Sequence, residues 1–138
     1  MKELINLVKE MQENLVSLEN LMNQEHDLLS KSKTNIEKIE LIIEKKEFFL
    51  MKIASLKEKK LFLEKKYSIF PPYFQFNELN QCWSEIISKC CLLRKKNIKN
   101  KMILNQKFYL NQHFLNIFQT YKSNKNNTIY DIDGNLEN

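Results

Sequence analysis

Turn-forming residues are nearly absent from this sequence: one glycine, Gly134, and two adjacent prolines, Pro71 and Pro72, in 138 residues. A sandwich or barrel needs a turn every ~8–12 residues, so those folds are excluded. Alanine and arginine are equally scarce, with only Ala54 and Arg94. Against that one arginine stand 21 lysines and 17 asparagines. Such a bias reads as the codon usage of an A+T-rich genome. It takes most of the meaning from the net charge of +5 and the pI of about 9.0. Nucleic-acid surfaces lean on arginine for bidentate contacts, and no nucleic-acid partner is expected.

Cysteine is limited to Cys82, Cys90 and Cys91, with no CxxC spacing. Neither a disulfide framework nor a zinc site is indicated, and reduced thiols in a cytosolic protein are the simplest expectation. No apolar run reaches the ~18 residues of a membrane span. The amphipathic, acidic-rich N-terminus is unlike a signal peptide. His26 and His113 have no second histidine or cysteine at ligand spacing, and no glycine-rich loop exists to cradle phosphate. Ser84, Ser88 and the cysteines lack a basic partner in any nucleophile pattern. The expectation is a protein with no catalytic residues, no metal and no cofactor.

What is present is helical periodicity. Leu4, Val8, Met11, Leu15, Leu18, Met22 and Leu29 follow a 3.5-residue period, with Glu25 at the skipped position. A first helix is predicted over 3–30. Thr34, with Glu37 three residues on, reads as a capping box that starts a second helix over 34–67. Its apolar face runs through Ile36, Ile39, Ile43, Leu50, Ile53, Leu56 and Leu63. Lys46 interrupts that face, and its amine is expected to snorkel out to water. The short connection makes the two helices an antiparallel hairpin.

The prolines end helix 2 within a connector, Phe70 to Phe76, that carries four aromatics. It is either a lid on the bundle end or an exposed docking patch. Asn77 or Asn80 can cap a third helix over 77–121. Its seam reads Trp83, Ile86/Ile87, Cys90, Leu93, Asn97, Asn100, Leu104, Phe108, Leu115 and Phe118. The fold class is all-α: an antiparallel bundle of three long helices with coiled-coil-like packing, residues 1–121, and a flexible polar tail, 122–138. The composition of 122–127 predicts disorder, and Asp131-Ile132-Asp133-Gly134 is turn chemistry.

Asn97 and Asn100 fall in step with Leu93 and Leu104. Buried, they would mark register by pairing with a polar partner. On an exposed turn they would be products of codon bias. The basic cluster Arg94, Lys95, Lys96, Lys99 and Lys101 spreads around more than half of the helix. It reads as a solvated face, with a site for an acidic partner or for nucleic acid as the alternative.

Trp83 opening a helix, Leu93, Asn97-x-x-Asn100, Ile103-Leu104 and Asn111 resemble the third helix of FlgN-type flagellar export chaperones. Thr128-Ile129-Tyr130-Asp131-Ile132-Asp133-Gly134 is similar to that family's terminal Leu-Tyr-x-x-x-Gly element. Glu44 to Leu50 resembles its Glu-Lys-x-x-Leu-Leu stretch. The family usually has glycine after the second asparagine, where this chain has Lys101. The resemblance implies a cytoplasmic chaperone for hook-associated (hook–filament junction) proteins. Implied partners are those proteins and the flagellar type III export apparatus, meaning the export gate and its ATPase complex. Membrane association would be peripheral, through the gate.

Under that resemblance, Leu110, Phe114, Ile117 and Phe118 are the candidates for binding a substrate helix. Core or dimer contacts are the other reading of those residues. Tyr130 and Gly134 are the candidates for docking at the gate. A structural coiled-coil subunit or adaptor of an assembly is the alternative reading of the whole chain.

Overall fold

The computed structural model describes residues 1–110, with side chains to Lys107. Three helices follow in order: α1 (Lys2–Leu29), α2 (Ile36–Tyr67) and α3 (Asn77–Leu110). No strand occurs among the described residues. The predicted helices match these bounds within two residues up to Leu110. The predicted continuation of helix 3 to 121 lies outside the described residues.

The heptad seam of α1 is buried along its whole length, from Leu4 to Leu29, Glu25 included. Burying a leucine or valine of this kind stabilises the fold by about 1.5–3 kcal/mol. The seam is wide because α1 packs against both α2 and α3. The backbones of α2 and α3 make no close approach among the described residues. Long side chains span the gap instead: Lys46 reaches Asn97, and Lys60 lies over the Trp83 ring at 4.3 Å. Surface ties fasten α1 to α3, with Lys9 to Glu78 at 2.6 Å and Lys89 to Glu19 at 2.7 Å. Lys89 and Glu19 are partly buried, whereas the exposed Lys9–Glu78 pair contributes little.

Two local expectations are corrected. The N-cap of α2 is Asn35, not Thr34. Asn35 holds an extended backbone, and its Oδ1 accepts the Lys38 amide at 3.1 Å. Thr34 is released for a different task, accepting the Lys107 ammonium at 3.0 Å. Lys46 does not snorkel. It is buried, because a carboxylate and an amide oxygen wait for it inside the bundle.

The connector is neither simply a lid nor simply a patch. Ser68 ends α2 in the left-handed conformation, and its amide bonds back to Glu64. Tyr73 also has positive φ, 60°, which turns its side chain into the core. Asn80 on α3 donates to the Pro72 carbonyl at 2.7 Å and pins the turn from the other side. Phe70 and Phe74 remain in solvent.

Burial raises the Cys90 thiol from 9.0 to about 12, with neighbouring Cys91 adding to the effect. Tyr73 is raised as well, first by burial and then by its hydrogen bond to the Glu64 carboxylate. Both groups hold in the folded state a proton that the unfolded chain has already released. Their contribution is therefore complete below pH 9 and is lost as pH rises through the folded values. Chemical unfolding followed from pH 8 to 11 is expected to show stability falling above pH 9. Cys90→Ala should make that fall shallower.

Candidate functional site

Four buried polar residues, drawn from all three helices, meet in one layer. Glu25 comes from α1, Lys46 from α2, and Asn97 and Asn100 from α3. The Lys46 ammonium donates to both Glu25 oxygens, at 3.0 and 3.3 Å, and to Asn97 Oδ1 at 3.1 Å. Asn100 Nδ2 donates to Glu25 Oε1 at 2.9 Å and to the Met22 carbonyl at 3.0 Å. Asn97 Nδ2 is buried without a partner. The two asparagines are thus both in the core and not on an exposed turn.

The layer divides the hydrophobic interior. On one side lies the large cluster from Leu4 to Met22 of α1, with Ile53 to Leu63 of α2 and Leu79 to Leu93 of α3. On the other side is a small cluster of Leu29, Ile39 and Ile43, with Ile36, Ile103 and Leu104 packed on it. This second cluster closes the end of the bundle where α1 turns into α2. The Lys107 ammonium reaches that turn, donating to the Lys31 carbonyl and to Thr34 Oγ1.

A second buried polar group lies at the opposite end. Tyr73 donates its hydroxyl to Glu64 Oε2, and Lys60 Nζ donates to the same carboxylate oxygen at 3.0 Å. Trp83 packs edge-on against Tyr73 and beneath Lys60. Sequence reasoning did not foresee this group. Its only signal was the placement of Lys60 and Glu64 in step with Leu56 and Leu63. A helical lysine in such a position usually reaches water. Here the connector folds over it and brings Tyr73.

Of the residues predicted to bind partners, Leu110 is the last described residue of α3. Phe114, Ile117, Phe118, Tyr130 and Gly134 lie outside the described residues. Lys96, from the basic cluster, is tied to α1 through Asn23 at 2.8 Å. Among the described residues, no group of three or more His, Cys, Asp or Glu is arranged to hold a metal ion. No described helix is long and apolar enough to cross a membrane.

Fold and site together define a class: an all-α three-helix bundle keyed by an internal polar layer, with α3 leaving past the hairpin turn. The model of the family described as FlgN protein matches residues 1–138, so the chain belongs to that family. A curated relative from Buchnera aphidicola subsp. Schizaphis graminum (strain Sg), "Putative flagella synthesis protein FlgN", is 70% identical over 138 residues, all of both chains. A relative of the same name from Buchnera aphidicola subsp. Acyrthosiphon pisum (strain APS) is 46% identical over 137 residues, 99% of each chain. No solved structure matches.

Removing one member of the polar layer strands another in the core. Lys46→Ala leaves the Glu25 carboxylate buried and without its cation, and is expected to cost about 3–5 kcal/mol in urea unfolding. Replacing all four with apolar residues of similar volume should restore stability. Amide spectra of that variant should broaden, because the layer that fixes the helix register is gone.

Proposed function

We propose that this chain is a cytoplasmic flagellar export chaperone. It shields the terminal helices of hook-associated proteins and delivers them to the flagellar type III export gate. The work is done by binding alone, with no nucleotide and no chemical step. Family membership and the names of the relatives support a role in flagellar synthesis.

The observation that carries the binding site is where the hairpin ends. At Lys107 the third helix has already met the α1–α2 turn, at Lys31 and Thr34. The hairpin therefore offers its own partners only up to that point. The sequence that follows is rich in apolar residues: Leu110, Phe114, Ile117 and Phe118. An apolar stripe of this spacing pairs with another amphipathic helix. A substrate's exposed terminal helix supplies one. Tyr130, twenty residues beyond Leu110, acts as a tethered aromatic anchor for the gate.

Co-purification with hook-associated proteins tests the assignment. A chain truncated after Lys107 keeps every described side chain and should keep its helical circular dichroism. It is expected to lose capture. Full capture by the truncated chain would show that the binding site is elsewhere. Tyr130→Ala should capture substrate as well as the unaltered chain and bind the isolated gate domain at least about tenfold more weakly. Normal gate binding with lost capture would overturn this division of labour.

A further inference from the structure

The outward face of α2 is unused by the reading above. Lysines recur on it every seven residues: Lys38, Lys45, Lys52, Lys59 and Lys66. All five are exposed, and no carboxylate among the described residues pairs with any of them. On a straight helix the row is about 42 Å long, with a charge about every 10.5 Å. Beside it runs a second line at the same period. Leu41, Phe48 and Phe62 each stand four residues before a lysine of the row, with Ser55 at the remaining place of the line, and Met51 lies on the neighbouring line of Glu44 and Glu58. These apolar side chains are 50%, 58% and 67% exposed in that order, and Met51 is 69% exposed. They project away from Ile39, Lys46, Ile53 and Lys60, which face the interior. The other flank of the line carries Glu44 and Glu58.

An apolar line at heptad period, with like charges repeated on one flank, fits a second helix. It does not fit an anionic lipid surface, which Glu44 and Glu58 would meet beside the phenylalanines. A second copy of the chain fits no better. Antiparallel pairing about a twofold axis sets lysine row against lysine row. Parallel pairing sets the five lysines against the opposite flank, where Glu37, Glu44 and Glu58 answer only three of them and Met51 and Lys65 take the other places. We infer that the outward face of α2 is a docking surface for an amphipathic helix of another protein, one with acidic residues every seven positions beside its apolar seam. The inference is independent of the chaperone reading, whose substrate site is on the chain after Lys107.

The full chain can be titrated by fluorescence anisotropy with a synthetic helix of about four heptads, leucine at the seam positions and glutamate on one flank. The control helix carries lysine on that flank. The glutamate helix should bind at least about tenfold more tightly, with affinity falling as salt rises. Lys45→Glu/Lys52→Glu/Lys59→Glu should reverse the preference. Phe48→Ser/Met51→Ser should weaken both helices. Thermal melts of both variants should stay close to that of the unaltered chain, since every replaced side chain is exposed. Equal binding of the two helices, or a triple variant that keeps its preference for glutamate, would overturn the inference. So would chains that ignore both helices but bind phosphatidylserine vesicles, or that sediment as a dimer dissociated by Phe48→Ser.

Discussion

The bundle depends on one buried carboxylate. Glu25 sits in the apolar seam of α1, between Met22 and Leu29 near its end, and a lone carboxylate there is not tolerable: desolvation of an unpaired charge costs several kcal/mol. Lys46 from α2 and Asn100 from α3 must therefore come to it, and Asn97 completes the shell of Lys46. Sliding either helix by one turn would leave a buried charge without a partner. Apolar contacts alone would tolerate such a slip more easily, because leucines and isoleucines repeat along every seam. The polar layer thus fixes the axial position of all three helices at once.

That constraint orders the rest of the molecule. Above the layer the core is large and continuous, and it is closed at the far end by Tyr73 folding over Lys60 and Glu64. Below the layer only a few apolar residues hold the hairpin turn to α3. The bundle is strongest away from the proposed substrate end and thinnest beside it. A binding segment that follows Lys107 is then attached to the part of the bundle with least to lose by rearranging.

Much of this was legible in the sequence. The seam of α1 could be read residue by residue, because a 3.5-residue period and an absence of breakers admit few other structures. The interruptions at Glu25, Lys46, Asn97 and Asn100 were legible as anomalies. Their common cause was not, since it requires knowing which positions of three helices share a level. Lys46 was misjudged for that reason: a lysine on a helix taken alone is best placed by letting it reach water. The cap of α2 was misplaced by one residue because Thr34 and Asn35 are both competent caps. Asn35 takes the cap, and Thr34 instead accepts from Lys107, which is distant in sequence. The Lys60–Glu64–Tyr73 group was missed because a chain reversal at Pro71–Pro72 brings Tyr73 back onto α2. The family resemblance carried by Asn97, Asn100 and the terminal tyrosine element is matched by a family model that spans the whole chain.

The central claim is that substrate is held at the thin end of the bundle, beyond the polar layer. Amide hydrogen exchange of the full chain, alone and in complex with a hook-associated protein, tests it most directly. The account predicts new protection from about Lys101 onward and in the turn from Ser30 to Asn35, with exchange in Leu4 to Met22 unchanged. Protection gained along the outer face of α1, with none in or after the last turns of α3, would contradict it.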